Sequence, residues 1–197
     1  MFIKEGKMKI LWTGSDVMYL LRYPPFISFG FKLKIFCMRI VVKMILPFVQ
    51  EHYANSQHLI GELEQFGISN IKPYNSELKH PNKYPKKKHD GINIYYYRPY
   101  GKKNPDFIDW LYGYDIIVKL GTRYQQFCWI RLNGLEDMEK VFPIMDFYVR
   151  PNRHDGSSRL RRECEINDIP YYWSHESPCF DDICAVIEKL FGDEDEE

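Results

Sequence analysis

From about residue 90 onward, short β-branched and aromatic runs alternate with amphipathic stretches, and this alternation constrains the fold more than any other feature of the chain. Ile92 to Tyr97, Asp115 to Leu120, Cys128 to Leu132, Met145 to Val149 and Pro170 to Trp173 have the composition of buried strands. Helical patterns fall at Phe107, Ile108 and Leu111, at Leu135 to Val141, at Ser158 to Asn167 and at Phe180 to Phe191. Strands separated by helices imply right-handed crossovers and a parallel sheet, so residues 92–191 are expected to form a Rossmann-like α/β domain.

The preceding part has a different texture. Lys9 to Trp12 reads as a buried strand running into a tight turn at Thr13-Gly14-Ser15-Asp16. A helical pattern with interspersed cations covers Lys32 to Leu46. A second helix starts after Asn55-Ser56, carries Leu59, Leu63 and Phe66 on one face, and stops at Gly67. Residues 1–72 are thus expected to be a small, incomplete amino-terminal α/β segment. Pro73, Pro81 and Pro85, with Lys79, Lys83 and Lys86-Lys87-Lys88, mark residues 73–91 as a linker. Residues 192–197 read as an acidic, solvated tail, and Met8 serves as well as Met1 for a start.

The 27 basic and 27 acidic side chains cancel, which speaks against a general nucleic-acid binder driven by phosphate neutralisation. Five of the acids sit in the tail, so the remainder is net basic. The cysteines are odd in number and form no CxxC pair, which argues against a zinc framework or a secreted disulfide scaffold. The amino terminus lacks the apolar stretch of a secretory signal, and a cytoplasmic location is expected. Residues 26–49 are apolar but interrupted by Lys32, Lys34, Arg39 and Lys43, so they do not span a membrane. Two readings stay open for them: a core helix with a wet basic face, or a peripheral surface resting on anionic lipid through Phe29, Phe31, Phe36 and Ile40. The histidines show no HExxH and no His pair at i, i+4, so no metal is expected.

Ligands of a parallel α/β sheet bind beyond the carboxyl ends of its strands, which directs attention to Arg150 through Ser158, the loop after Asp146 to Val149. Gly156 permits close backbone approach, Ser157 and Ser158 can cap the next helix, and that helix start offers free N–H groups to a phosphate. Glu163 lies two helical turns beyond Asp155, so both carboxylates can project to one side. His154, beside Asp155, reads either as a donor-orienting group or as a structural loop histidine.

The run His154-Asp155-Gly156-Ser157-Ser158 through Glu163 to Asp168-Ile169-Pro170 resembles the carboxy-terminal domain of retaining glycosyltransferases of GT-B architecture. The resemblance makes Asp155 the catalytic acid near the donor sugar. It makes Gly156, Ser157 and Ser158 the backbone meeting donor hydroxyls and phosphate, and Glu163 the ribose ligand. This chain has Asp155 where the family usually has Glu, and Asp168 where it has Gly. More weakly, Ile92 to Lys103 resembles the opening strand and loop of that domain, with Arg98 and Lys103 placed like the family's diphosphate contacts; both read equally as solvated cations beside a turn. Trp12 to Asp16 and Tyr53 to Ile68 resemble the last pieces of the family's amino-terminal domain.

The resemblance implies transfer of a sugar from a nucleotide-diphosphate sugar to a lipid carrier or polysaccharide, with no metal needed at the diphosphate. A complete enzyme of this type needs about 350 residues because the acceptor site has its own α/β domain. Three readings follow: an enzyme, with or without a partner chain completing the acceptor half; an inactive nucleotide-sugar-binding or scaffold subunit; or a plain nucleotide-binding module.

Overall fold

The computed structural model describes the chain except residues 1, 5–6, 75–76, 100–104, 156–157, 175–176 and 193–197. The chain divides into two compact units: Met1–Glu77 with His154–Ser158, and Leu78–Arg153 with Arg159–Glu197.

The first unit is built on a four-stranded sheet of β1 (Phe2–Lys4), β2 (Lys7–Trp12), β3 (Val49–Ala54) and β4 (Ile71–Pro73), in that order. β1 runs antiparallel to β2, and the other neighbours are parallel. Helices α1 (Gly14–Leu21) and α2 (Phe29–Ile45) connect β2 to β3, and α3 (Gln57–Gln65) connects β3 to β4. Instead of making a tight turn, residues from Gly14 onward open α1. Pro47 and the short 3-10 turn around it end α2, and the alternation of Val49 to Ala54 then makes β3, a strand not anticipated from the sequence. As expected, Ser56 caps α3 by accepting from the Leu59 N–H. Trp12, Val17, Leu20, Ala54, Leu59 and Leu63 form the core.

α2 answers neither of its two readings cleanly. Ile35 is its only buried residue among those described, and Met38 and Val42 are the positions that pack against the core. Phe29 is 82% exposed and Phe36 51%, and Leu33, Ile40, Val41 and Met44 are exposed as well. Its outward face is therefore apolar, with Lys32 and Lys34 scattered through it. Arg39 is turned inward, donating to the Tyr19 carbonyl and lying over the Tyr23 ring. No helix of the described residues is long and apolar enough to cross a membrane.

The second unit has a wholly parallel sheet, and its strands β5 (Asn93–Tyr97), β6 (Cys128–Leu132), β7 (Phe147–Pro151) and β8 (Tyr171–Ser174) are arranged β6-β5-β7-β8. Helices α4 (Pro105–Leu111) and α5 (Tyr114–Arg123) link β5 to β6, while α6 (Met138–Val141) links β6 to β7. α7 (Arg159–Ile166) links β7 to β8, and α8 (Phe180–Phe191) follows β8. The α/β class with parallel strands is as read from the sequence.

Both faces of this sheet are buried. Ile94, Phe147 and Val149 pack with Ile116, Ile117 and Leu120 of α5 and Ile183 and Ile187 of α8. Tyr95 and Tyr148, pointing the other way, pack with Met138, Phe142, Cys164 and Ile169. The expected strand at Asp115 to Leu120 is instead the core of α5. Its apolar run is continuous in sequence, but Ile116, Ile117 and Leu120 make a helical face while Val118 is exposed. Gly113, at φ +64°, starts that helix, and an added Cβ would run into the Pro151 carbonyl oxygen. Gly113→Ala is accordingly expected to destabilise the fold by about 2 kcal/mol or more, from left-handed strain plus a backbone clash, read as a lower urea midpoint. An unchanged midpoint would contradict this packing.

Candidate functional site

The loop after β7 leaves the middle of the parallel sheet at its carboxyl edge. Its first residues are fixed by the second unit. Arg153 places its guanidinium fork on Asp115 at 2.8 and 2.7 Å, donates to the Trp110 carbonyl at 2.7 Å, and donates its backbone N–H to the Leu111 carbonyl. The Arg153 hydrogen bonds hold the Asp115 carboxyl below its ordinary value against the opposing effect of burial. Asn152 is buried, and its Oδ1 has no hydrogen-bond partner among the described residues. Sequence reading gave Asn152 no role.

Glu163, on α7, is 4% exposed. Its Oε1 accepts the backbone N–H groups of Lys79 and His80 at 2.9 and 3.0 Å. Its Oε2 carries no hydrogen bond among the described residues. Asn167, one turn on, accepts the Tyr84 N–H through Oδ1, and Lys87 N–H donates to the Pro143 carbonyl. The lysine- and proline-rich stretch is thus strapped to α7, with Tyr84 stacked on Phe142. α7 ends at Asp168, whose φ of +51° is the left-handed conformation, and the Ile169 N–H returns to the Cys164 carbonyl. Asp168 therefore adopts the backbone for which glycine is favoured, at the position where the resembled family has one.

Arg98, just past β5, sits at the same edge of the sheet. It makes a two-pronged pair with Asp109 at 2.6 and 2.9 Å and lies 4.1 Å from the Tyr114 ring centroid. Arg98 and Glu163 thus follow neighbouring strands, β5 and β7. Lys103, Gly156 and Ser157 lie outside the described residues. A groove of about 380 Å³ lined by Ile92, Gln126, Phe127 and Phe191 lies at the opposite, amino ends of β5 and β6.

Asp155 and Ser158 belong to the first unit, with Ser158 buried and Asp155 half-buried. His154 is enclosed there, its Nε2 2.8 Å from Glu62 Oε2 on α3. His58, one turn earlier on α3, brings its Nε2 to 3.6 Å from the same oxygen, and Arg22 lies 3.6 Å from Glu62 Oε1. Burial raises the Glu62 pKa, but the His154 hydrogen bond and the neighbouring His58 and Arg22 outweigh it, so the carboxyl is held below its usual value. The sequence signal for this cluster is weak: His58 and Glu62 share an i, i+4 spacing, but His154 lies 92 positions further along.

No protein-family model matches the chain, and no curated protein does. Solved structures do. TarM of S. aureus, as a variant with fondaparinux, α-GlcNAc-glycerol and UDP, superposes with a TM-score of 0.62 at 10% identity over 95% of this chain. A second TarM structure gives 0.57 at 11% identity over 96%. In both the match spans 44% of the TarM chain, less than half its length. At such identity the likeness shows the fold, that of part of a GT-B glycosyltransferase.

Two charge-assisted hydrogen bonds make Glu163 a structural anchor whatever else it does. Glu163→Ala is expected to cost about 2–4 kcal/mol and to expose the Lys79–Lys88 stretch to trypsin. Cleavage there at the wild-type rate would contradict the anchoring.

Proposed function

We propose that the chain binds a nucleotide-diphosphate sugar at the carboxyl edge of β5 and β7 and acts as a glycosyltransferase on a lipid-carrier or polysaccharide acceptor. The observation that carries this reading is Glu163: a buried carboxylate at that edge, fixed through Oε1 and with Oε2 uncommitted among the described residues, suited to a ribose diol. The GT-B-like fold supports it, and UDP in the TarM structure makes a uridine nucleotide the first probe. In this reading Arg98, aligned by Asp109, and Lys103 meet the diphosphate, joined by the backbone of Gly156, Ser157 and Ser158. Asp155 serves as the catalytic carboxylate beside the donor sugar. Cations and amides offset the charge that develops on the leaving diphosphate, so added Mg²⁺ is not required.

The 44% span of the TarM chain favours one second reading, a nucleotide-sugar-binding subunit whose acceptor half comes from a partner chain. Release of free sugar from UDP-GlcNAc during prolonged incubation separates the enzyme from the inert binder. The binding itself is tested by calorimetry with UDP-sugars. Glu163→Gln keeps an acceptor oxygen for the Lys79 and His80 amides, so the fold should persist while affinity falls about tenfold. Unchanged affinity in a folded variant would remove Glu163 from the site.

The exposed apolar face of α2, interleaved with Lys32 and Lys34, supports peripheral membrane contact through residues 26–49, which suits a lipid-linked acceptor. The protein is expected to float with anionic vesicles at low salt and to be partly released at high salt. Remaining at the bottom of the gradient at low salt would exclude such a surface.

A further inference from the structure

His58, Glu62 and His154 have no part in the nucleotide-sugar reading. We propose that His58, Glu62 and His154 form a binding site for a divalent cation of the zinc type, which fastens His154 to α3. One ligand atom from each residue lies within 4.8 Å of the other two, the only such His/Cys/Asp/Glu group among the described residues. Tetrahedral ligands at the usual zinc distances of about 2.0–2.1 Å are separated by about 3.3 Å. The separations of 2.8 Å from Glu62 Oε2 to His154 Nε2 and 3.6 Å to His58 Nε2 bracket that value, and the His58 and His154 ligand atoms lie within 4.8 Å of each other.

Two imidazoles and one carboxylate are a donor set that zinc and its neighbours favour over magnesium or calcium. His58 and Glu62 stand one turn apart on a single helix face, so α3 holds two ligands with little ordering cost. The His154 side chain is fully enclosed, which fixes the third. His154 Nδ1 is buried with no hydrogen-bond partner among the described residues. Arg22 occupies only the Oε1 side of Glu62 and is 43% exposed, so it can stay beside the carboxylate or swing into water. His58, whose side chain is 21% exposed although its Nε2 is buried, is the least enclosed of the three.

The test uses the full chain, stripped with EDTA and desalted, titrated with Zn²⁺ by calorimetry and with Co²⁺ by absorption spectroscopy. One equivalent is expected to bind, with a visible cobalt spectrum of tetrahedral type and no thiolate charge-transfer band. Affinity should fall more than tenfold in His58→Ala, in Glu62→Gln and in His154→Gln. His58 is the least enclosed ligand, so its variant keeps the inference falsifiable should the other two misfold. Three results would overturn the site: no stoichiometric binding, binding undiminished in folded His58→Ala, or a thiolate band showing that the free cysteines are the ligands. Because no nucleotide enters the measurement, its outcome is independent of the donor-site reading.

Discussion

The burial of β7 on both faces is the constraint on which the rest of the second unit depends. Phe147 and Val149 are closed off by α5 and α8, and Tyr148 by residues from the other layer. A strand buried in this way cannot shift register without losing its side-chain packing against both layers, so its carboxyl end is fixed in space. The loop leaving that end inherits a fixed origin. Gly113 adds to this by bringing the start of α5 against the Pro151 carbonyl, and Arg153 ties the next residue to Asp115 and Trp110. The placement of Asn152 and Arg153 is thus set by packing together with the charged fork of Arg153.

The same economy governs α7. Its Glu163 holds the Lys79 and His80 amides with one oxygen, and the other makes no hydrogen bond among the described residues. A carboxylate held so firmly is preorganised, because a ligand meeting Oε2 need not order the side chain first. Arg98 is preorganised in a comparable way by Asp109 and the Tyr114 ring. Both groups are held in place by the fold itself, independently of any ligand.

Much of this was legible in the sequence, for identifiable reasons. The strands at Ile92, Cys128, Met145 and Pro170 and the helices at Ser158 and Phe180 could be read because buried parallel strands are short, apolar and separated by amphipathic stretches. Asp115 to Leu120 misled because a continuous β-branched run does not reveal which residues face inward. Only α5's packing against Ile94 and Phe147 does that. β3 went unseen because half its residues are polar and its alternation is short. Of the candidate site, topology and motif pointed to the loop after β7 and to Glu163, but not to the hold of Glu163 on the Lys79 and His80 amides. Asp109, Asn152 and the His58, Glu62 and His154 cluster did not, since each depends on residues brought together only by folding.

On the proposed function, a nucleotide sugar is held by the residues that follow β5 and β7. Photolabelling with an azido-uridine diphosphate sugar, followed by peptide mapping, addresses it most directly. Labelling should concentrate in peptides from residues 98–109 and 152–167 and be displaced by excess UDP-GlcNAc. Labelling that UDP-GlcNAc fails to displace, or that maps to the groove lined by Phe127 and Phe191, would contradict it.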